Sequence, residues 1–151
     1  TYAMHKLVLY DYNPVGNSNL IVRQNTNNST DSSNNYSWVI SSRNSSNTSY
    51  SLEAGDGGTE MKFTHDNLRA GVLHSICMDI YNMRVTDSSS HLSIVYTSAG
   101  PNQDGSVRLK YNDSAGMTRT TNSMNTNRTG LSIQQTTGNI TGKYAVYGFK
   151  R

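Results

Sequence analysis

The sequence has few cysteines, charged residues and long apolar runs, and each shortage excludes a class of protein. Cys77 is the one cysteine among 151 residues, so no disulfide can form within the chain. We therefore expect folding in a reducing cytoplasm, or stability supplied by assembly with other chains. Charged residues make up 15%, which is too few for a disordered polyelectrolyte. No apolar run approaches the roughly 18 residues of a membrane-spanning helix, so we expect no membrane span.

Small polar residues dominate the composition. The chain has 18 Asn, 21 Ser and 16 Thr, together 55 of the 151 residues, while hydrophobic residues make up 34%. Ten tyrosines and one tryptophan still supply aromatic surface for a core. Because strong helix formers are scarce, this composition favours β-structure with polar loops. The length suits one domain, which we expect to span residues 1–151.

The charge pattern argues against a nucleic-acid partner. The net charge is +3, and Lys150-Arg151 is the one adjacent pair of basic residues. Nucleic-acid affinity comes from several phosphates neutralised together, which needs a concentrated basic patch. We therefore expect no nucleic-acid binding.

Short β-branched and aromatic runs recur along the chain with turn signals between them. In 73–85, alternation places His74, Ile76, Met78 and Ile80 on one face and a mixed row on the other. One apolar face is typical of an antiparallel strand. We predict an all-β fold, an antiparallel β-sandwich of the jelly-roll type with eight to ten short strands. Other predicted strands are 2–10, 20–23, 36–40, 61–63, 92–96, 107–111, 131–133 and 143–149.

The segments between strands carry three further predictions. Residues 25–35 and 41–49 are polar and aperiodic, which predicts loops. The run Gly55-Asp56-Gly57-Gly58 predicts a turn. Residues 66–71 are the one stretch that suits a helical turn, with Asp66 as its cap.

Patterns typical of catalysis or metal binding are sparse. Glu53 and Glu60 flank the predicted glycine turn and would form the best acid pair, or with Asp56 the best calcium loop. His74 lies three residues from Cys77, which on a strand places the two on opposite faces. A thiol nucleophile needs a neighbouring base, so this pair does not suggest one. We predict no enzyme activity, no metal and no cofactor.

One strand between two polar tracts is the candidate surface for ligand binding. The strand offers Tyr36 and Trp38, and the flanking tracts offer Asn35 and Asn44. Asn, Ser and Tyr are typical of adaptable polar surfaces, and a tryptophan ring can stack on a sugar. A single tryptophan in a small β domain is more often part of the core, and that alternative stays open.

The final predicted strand carries bulk on both faces. Tyr144 and Val146 would share one face, and Tyr147 and Phe149 the other. We expect this candidate assembly strand to be central in its sheet or covered by a neighbouring subunit. Deleting residues 143–151 should then leave an insoluble protein.

The last twenty residues also carry a motif. A strand at 131–133 is followed by the turn Gly138-Asn139, by Gly142, and by the closing strand Val146-Tyr147-Gly148-Phe149-Lys150. This order resembles the ending of jelly-roll domains in tailed-phage virion proteins. The earlier strands follow a similar order. The sequence departs mildly from that pattern at Ala145 and Phe149, where a more aliphatic residue is commoner.

The resemblance implies a structural virion protein of a tailed bacteriophage, an exterior module of tail or capsid that acts by subunit assembly and surface display. It implies other virion proteins as partners and a homo-oligomer, with a trimer favoured. It also implies assembly in the host cytoplasm, location in the virion and attachment to a host-surface glycan. The alternative is a lectin-like carbohydrate-binding module.

Overall fold

The computed structural model describes residues 2–44, 50–65, 68–83, 91–101, 109–118 and 128–150. Every regular element within these ranges is a β-strand. In chain order the strands are β1 (Tyr2–Pro14), β2 (Leu20–Thr26), β3 (Ser29–Thr30), β4 (Tyr36–Asn44), β5 (Ser51–Gly58), β6 (Met61–Lys62), β7 (His74–Tyr81), β8 (Ser93–Pro101), β9 (Leu109–Thr118), β10 (Arg128–Gln135) and β11 (Ile140–Lys150).

The strands form two antiparallel sheets of unequal size. The larger has seven strands in the order β11-β1-β7-β8-β9-β4-β5. The smaller has four, with β10, β2 and β3 in order and β6 paired to β2. Leu20 and Val22 of the smaller sheet share one buried cluster with Ile76 and Tyr96 of the larger. The prediction of an all-β antiparallel sandwich is confirmed.

Alternation along the strands fills the space between the sheets. In β7 the predicted row of His74, Ile76, Met78 and Ile80 is buried, as expected, and Cys77 lies half-buried on the opposite face. Aromatic rings supply much of the remaining core volume. Tyr12, Tyr36, Tyr96 and Phe63 are each at most 2% exposed, and the rings of Phe63 and Tyr96 are 5.2 Å apart.

The predicted glycine turn at 55–58 is wrong, because β5 runs through it. Ala54 pairs with Val39, and Asp56 with Ser37. A Cβ on Gly55 would lie 2.6 Å from the ring of Trp38, so glycine permits the ring to cover the strand at this point. Glycine here reflects close packing rather than a reversal of the chain.

The polar segments contain more order than the sequence indicates. Residues 25–35, predicted as a loop, include a hairpin in which Thr26 pairs with Ser29. Its turn is Asn27-Asn28, whose φ angles of 51° and 62° fit a type I′ turn. In the segment predicted as a helical turn, residues 66 and 67 lie outside the described ranges. Leu68 forms a β-bridge to Ser18, and a turn follows.

Candidate functional site

The final strand lies at the edge of the seven-stranded sheet. β11 pairs with β1, with Val146 opposite Leu7 and Tyr147 opposite Lys6, and no other described strand pairs with it. Its central placement, one of the two alternatives drawn from its bulky faces, is therefore wrong. Bulk on both faces does not require strands on both sides, because here most of that bulk is exposed. We call the unpaired side of this strand the β11 edge.

The four predicted assembly residues are exposed on this strand. The exposed fractions are 71% for Tyr144, 55% for Val146, 54% for Tyr147 and 47% for Phe149. Apart from Ala145, every residue of β11 is exposed. Tyr144 and Val146 lie on the face towards the smaller sheet and Tyr147 and Phe149 on the opposite face, so both faces of the strand expose large apolar side chains. Exposed apolar surface of this kind often marks a binding site.

An apolar cleft opens beside the strand, between the two sheets. Its volume is about 520 Å³. β11 and β10 lie at the same end of the sandwich and form its two walls, with β1 and β7 behind them. Most lining side chains are apolar: Leu7, Leu9, Ile80, Met83, Leu131, Ile133, Ile140, Tyr144 and Val146. The smaller sheet thus leaves this end of the larger one partly uncovered.

The cleft has a small polar end formed by Arg128, His5 and Thr129. The Nη1 of Arg128 donates a hydrogen bond of 2.6 Å to the carbonyl oxygen of Asn82. Burial lowers the pKa of Arg128 from its usual high value, because water is excluded around the guanidinium. The hydrogen bond links Arg128, at the start of β10, to Asn82, which follows β7.

The charged groups along the outer face near this edge form ion pairs. Lys143 Nζ lies 3.2 Å from Asp11 Oδ2, and Lys6 Nζ lies 3.3 Å from Asp79 Oδ1. The hydrogen bond to Asp79 raises the pKa of Lys6. Exposed ion pairs of this kind contribute little to stability, but each one neutralises a cation beside the apolar side chains of the strand.

Two of the four predicted ligand-binding residues lie inside the protein. Asn35 and Tyr36 are buried, at 4% and 0% exposure, so neither can meet a ligand from solvent. Trp38 packs against the core, which is the alternative the sequence left open. The side chain of Asn44 lies outside the described residues. Alternation in β4 places Tyr36, Trp38 and Ile40 together on the inner face. The polar tracts on either side had suggested an exposed strand.

The carboxylates considered for catalysis or calcium face cations instead of each other. Lys62 Nζ lies 2.7 Å from Glu53 Oε1, and Arg23 Nη2 lies 2.5 Å from Glu60 Oε2. Asp56 accepts a hydrogen bond from the hydroxyl of Ser37. Within the described ranges, no three His, Cys, Asp or Glu side chains come close enough to hold a metal ion.

The sequence identified β11, one wall of the cleft, as a candidate site, but it did not identify β10, the other wall, as part of that site. Leu131 and Ile133 alternate in β10 and, with Ile140, line the space beside Tyr144. The alternation was visible in the sequence, but the pairing of β10 with β2 rather than with β11 was not. That pairing is what holds the two walls apart.

Comparison with family models, characterised proteins and solved structures gave no match. Among the described residues, no helix has the length and apolar character needed to cross a membrane.

Proposed function

We propose that this chain is a structural protein of a tailed-phage virion, an exterior jelly-roll module of tail or capsid. It works by burying its apolar edge against neighbouring subunits and by displaying its polar segments outward, and it catalyses no reaction. The observation that carries the proposal is the β11 edge with its exposed Tyr144, Val146, Tyr147 and Phe149.

An unprotected edge strand is costly unless another chain covers it. Proteins usually protect such edges with proline, inward-pointing charge or a very short strand. β11 has eleven residues and no proline, and its stretch from Tyr144 to Phe149 carries no charged side chain. A chain with only 34% hydrophobic residues nevertheless places several of its largest apolar side chains here. Covering them by association is the simplest physical use of this arrangement.

The closing motif of the sequence and the polar segments support the virion setting. The motif resembles the end of tailed-phage jelly-roll domains. Asn, Ser and Thr keep a β surface hydrated with little charge and offer hydrogen bonds to a receptor or to a neighbouring subunit. The expected partners are further copies of this chain, other virion proteins and a host-surface glycan.

Labelling of purified particles tests this function. Antibodies raised against the chain should bind the tail or capsid exterior of intact virions from the phage that encodes it. A chain that is abundant in infected cells but missing from purified virions would contradict the proposal. The control for adsorption mixes the purified chain with particles that lack it. The antibodies should not bind these particles.

A carbohydrate-binding module remains the second candidate, on one specific observation. Arg43 stacks on the exposed ring of Tyr50 at 3.8 Å and stands opposite Tyr111 in the ladder. The hydroxyl of Tyr111 donates to Asp113. Exposed rings beside a guanidinium and a carboxylate can stack on a sugar and bind its hydroxyls. Glycan binding by a monomer, lost in Tyr50→Ala, would favour this candidate over assembly.

A further inference from the structure

We propose that the β11 edge pairs antiparallel with the β11 edge of a second copy, about a two-fold axis through Val146. The two seven-stranded sheets then continue into each other, and the two apolar clefts meet beside the axis. This inference rests on the proposed assembly function and names the partner and the register.

Symmetry restricts the registers that two copies can adopt. A two-fold axis normal to the sheet keeps each side chain on its own face, and residues directly opposite each other must share a face. The axis must therefore pass through a residue that meets its own copy. Lys143 cannot stand opposite Lys150, because their midpoint falls between two residues. The symmetric registers that pair at least seven of the eleven residues of β11 have their centres at residues 143 to 147.

The register centred on Val146 places large side chains opposite small ones. Tyr144 meets Gly148 of the second copy, and Tyr147 meets Ala145 of the second copy. An aromatic ring opposite a glycine covers the backbone that the glycine leaves bare. Lys143 comes opposite Phe149, which suits a cation beside a ring.

The other centres fit less well. A centre at Tyr144 sets that ring against its own copy and leaves Gly142 opposite Val146, and a centre at Lys143 brings two like charges together. A centre at Ala145 sets Gly142 opposite Gly148 and leaves a gap in the ladder of side chains. A centre at Tyr147 sets that ring against its own copy and leaves Gly148 opposite Val146. Cross-strand pairs of complementary size are the unit by which sheets gain stability, so Val146 is the favoured centre.

The exposed aromatic side chains of this strand supply part of the area that a dimer requires. Taking about 200 Å² for each aromatic side chain, the exposed parts of Tyr144, Tyr147 and Phe149 amount to about 340 Å² in one copy. A stable interface buries about 800 Å² per partner. Val146 and the walls of the cleft at Ile140 and Leu131 supply further apolar surface toward that figure. A trimer, by contrast, needs two different complementary surfaces on each copy.

A charge placed on the axis tests both the partner and the register. Val146→Lys and Val146→Glu each bring two like charges face to face, and either variant alone should weaken self-association by at least about tenfold. An equimolar mixture should restore the dimer, because lysine then meets glutamate. Val39→Lys is the matched control, since Val39 is 50% exposed but lies on β4, away from this edge.

Mass in solution gives the readout, from analytical ultracentrifugation, with circular dichroism to verify folding. Wild type and Val39→Lys should show twice the 16.7 kDa of one chain, and the single Val146 variants the mass of one. A monomeric wild type, a dimer that survives Val146→Lys, or a mixture that stays monomeric would overturn the inference. If wild type forms larger assemblies unaffected by Val146→Lys, the register is wrong while the assembly function stands. If the chain dimerises as described but is absent from purified virions, the proposed virion function is wrong and the inference about the dimer stands.

Discussion

At the scale of single residues, the hydroxyl of Tyr36 joins β4 to β2. It accepts a hydrogen bond of 2.9 Å from the backbone N–H of Gln24 and donates one of 2.9 Å to the carbonyl of Asp31. Burial raises the pKa of Tyr36 to about 12, so the hydroxyl stays protonated at any ordinary pH. A residue predicted to bind at the surface is thus a link between the two sheets.

Replacing Tyr36 by Phe should lower the free energy of unfolding by about 1–3 kcal/mol, because the buried N–H of Gln24 loses this acceptor. Urea denaturation measures the change. Tyr50→Phe is the control, since Tyr50 is 56% exposed and water can replace its hydroxyl contacts. Equal stability of Tyr36→Phe and wild type would contradict the hydrogen bonds described.

A second residue-scale consequence concerns His74, which is buried at the start of β7. Its Nε2 lies 3.2 Å from the carbonyl oxygen of Arg69, and its ring packs so closely on Gly100 that a Cβ there would lie 2.1 Å from Nδ1. Burial lowers the pKa of His74 below its ordinary value of about 6.5. The folded state therefore favours the neutral ring.

This lowered pKa predicts a loss of stability in mild acid. Above pH 6.5 the ring is neutral in both states, and its contribution is complete. As pH falls from about 6.5 towards the lowered folded pKa, the unfolded chain takes up a proton that the folded protein resists, so unfolding becomes easier. In His74→Gln, unfolding free energies measured between pH 7.5 and 5 should fall less steeply than in wild type. Parallel pH profiles would contradict the assignment.

At the scale of elements, the β1–β11 ladder contains a bulge that depends on one glycine. Tyr10 pairs with Lys143 and Asn13 with Thr141, so two residues of β1 stand opposite Gly142 alone. Gly142 has a φ of 155°, and a Cβ on it would lie 3.1 Å from the Cα of Tyr12.

Gly142→Ala should therefore destabilise the fold by about 1–3 kcal/mol, because both the backbone angle and the space exclude a side chain. Gly130→Ala in β10 is the matched control, since its nearest contact is an ordinary 3.6 Å to Asn25 Nδ2. That variant should stay within about 0.5 kcal/mol of wild type. Thermal unfolding compares the two, and equal losses would contradict the special role of Gly142.

Strand existence was predictable from the sequence, while strand partners were not. Alternation identified β2, β4, β7 and β11, since period two depends on residues close together in the chain. The pairing of β11 with β1 joins the two ends of the sequence, and no local pattern encodes such a contact. The same limit explains why the edge position of Tyr144 and Val146 was left undecided.

Local patterns also failed where polar residues extend a strand. β5 continues through Gly55 because Trp38 covers it, and β9 runs on to Thr118 beside Leu92. Glycine is depleted in strands, and at Gly55 tertiary packing overrides that local preference. The sequence therefore predicted only part of the candidate site. It identified the aromatic strand β11, but it did not predict the cleft beside that strand.

At the scale of the whole molecule, a sheet of seven strands is covered by one of four. The uncovered end is the cleft between β10 and β11, where apolar residues from both sheets face solvent. Assembly through the β11 edge would bury this end and turn the least protected strand of the larger sheet into an interior one. The central claim is that another copy of the chain covers the β11 edge.

Hydrogen–deuterium exchange, measured across the concentrations at which the chain self-associates, tests that claim most directly. The backbone amides of β11 should exchange more slowly as self-association proceeds. The amides of β5, at the opposite edge of the same sheet, should keep their rates. Unchanged exchange in β11 during self-association, or protection that appears in β5 instead, would contradict the account.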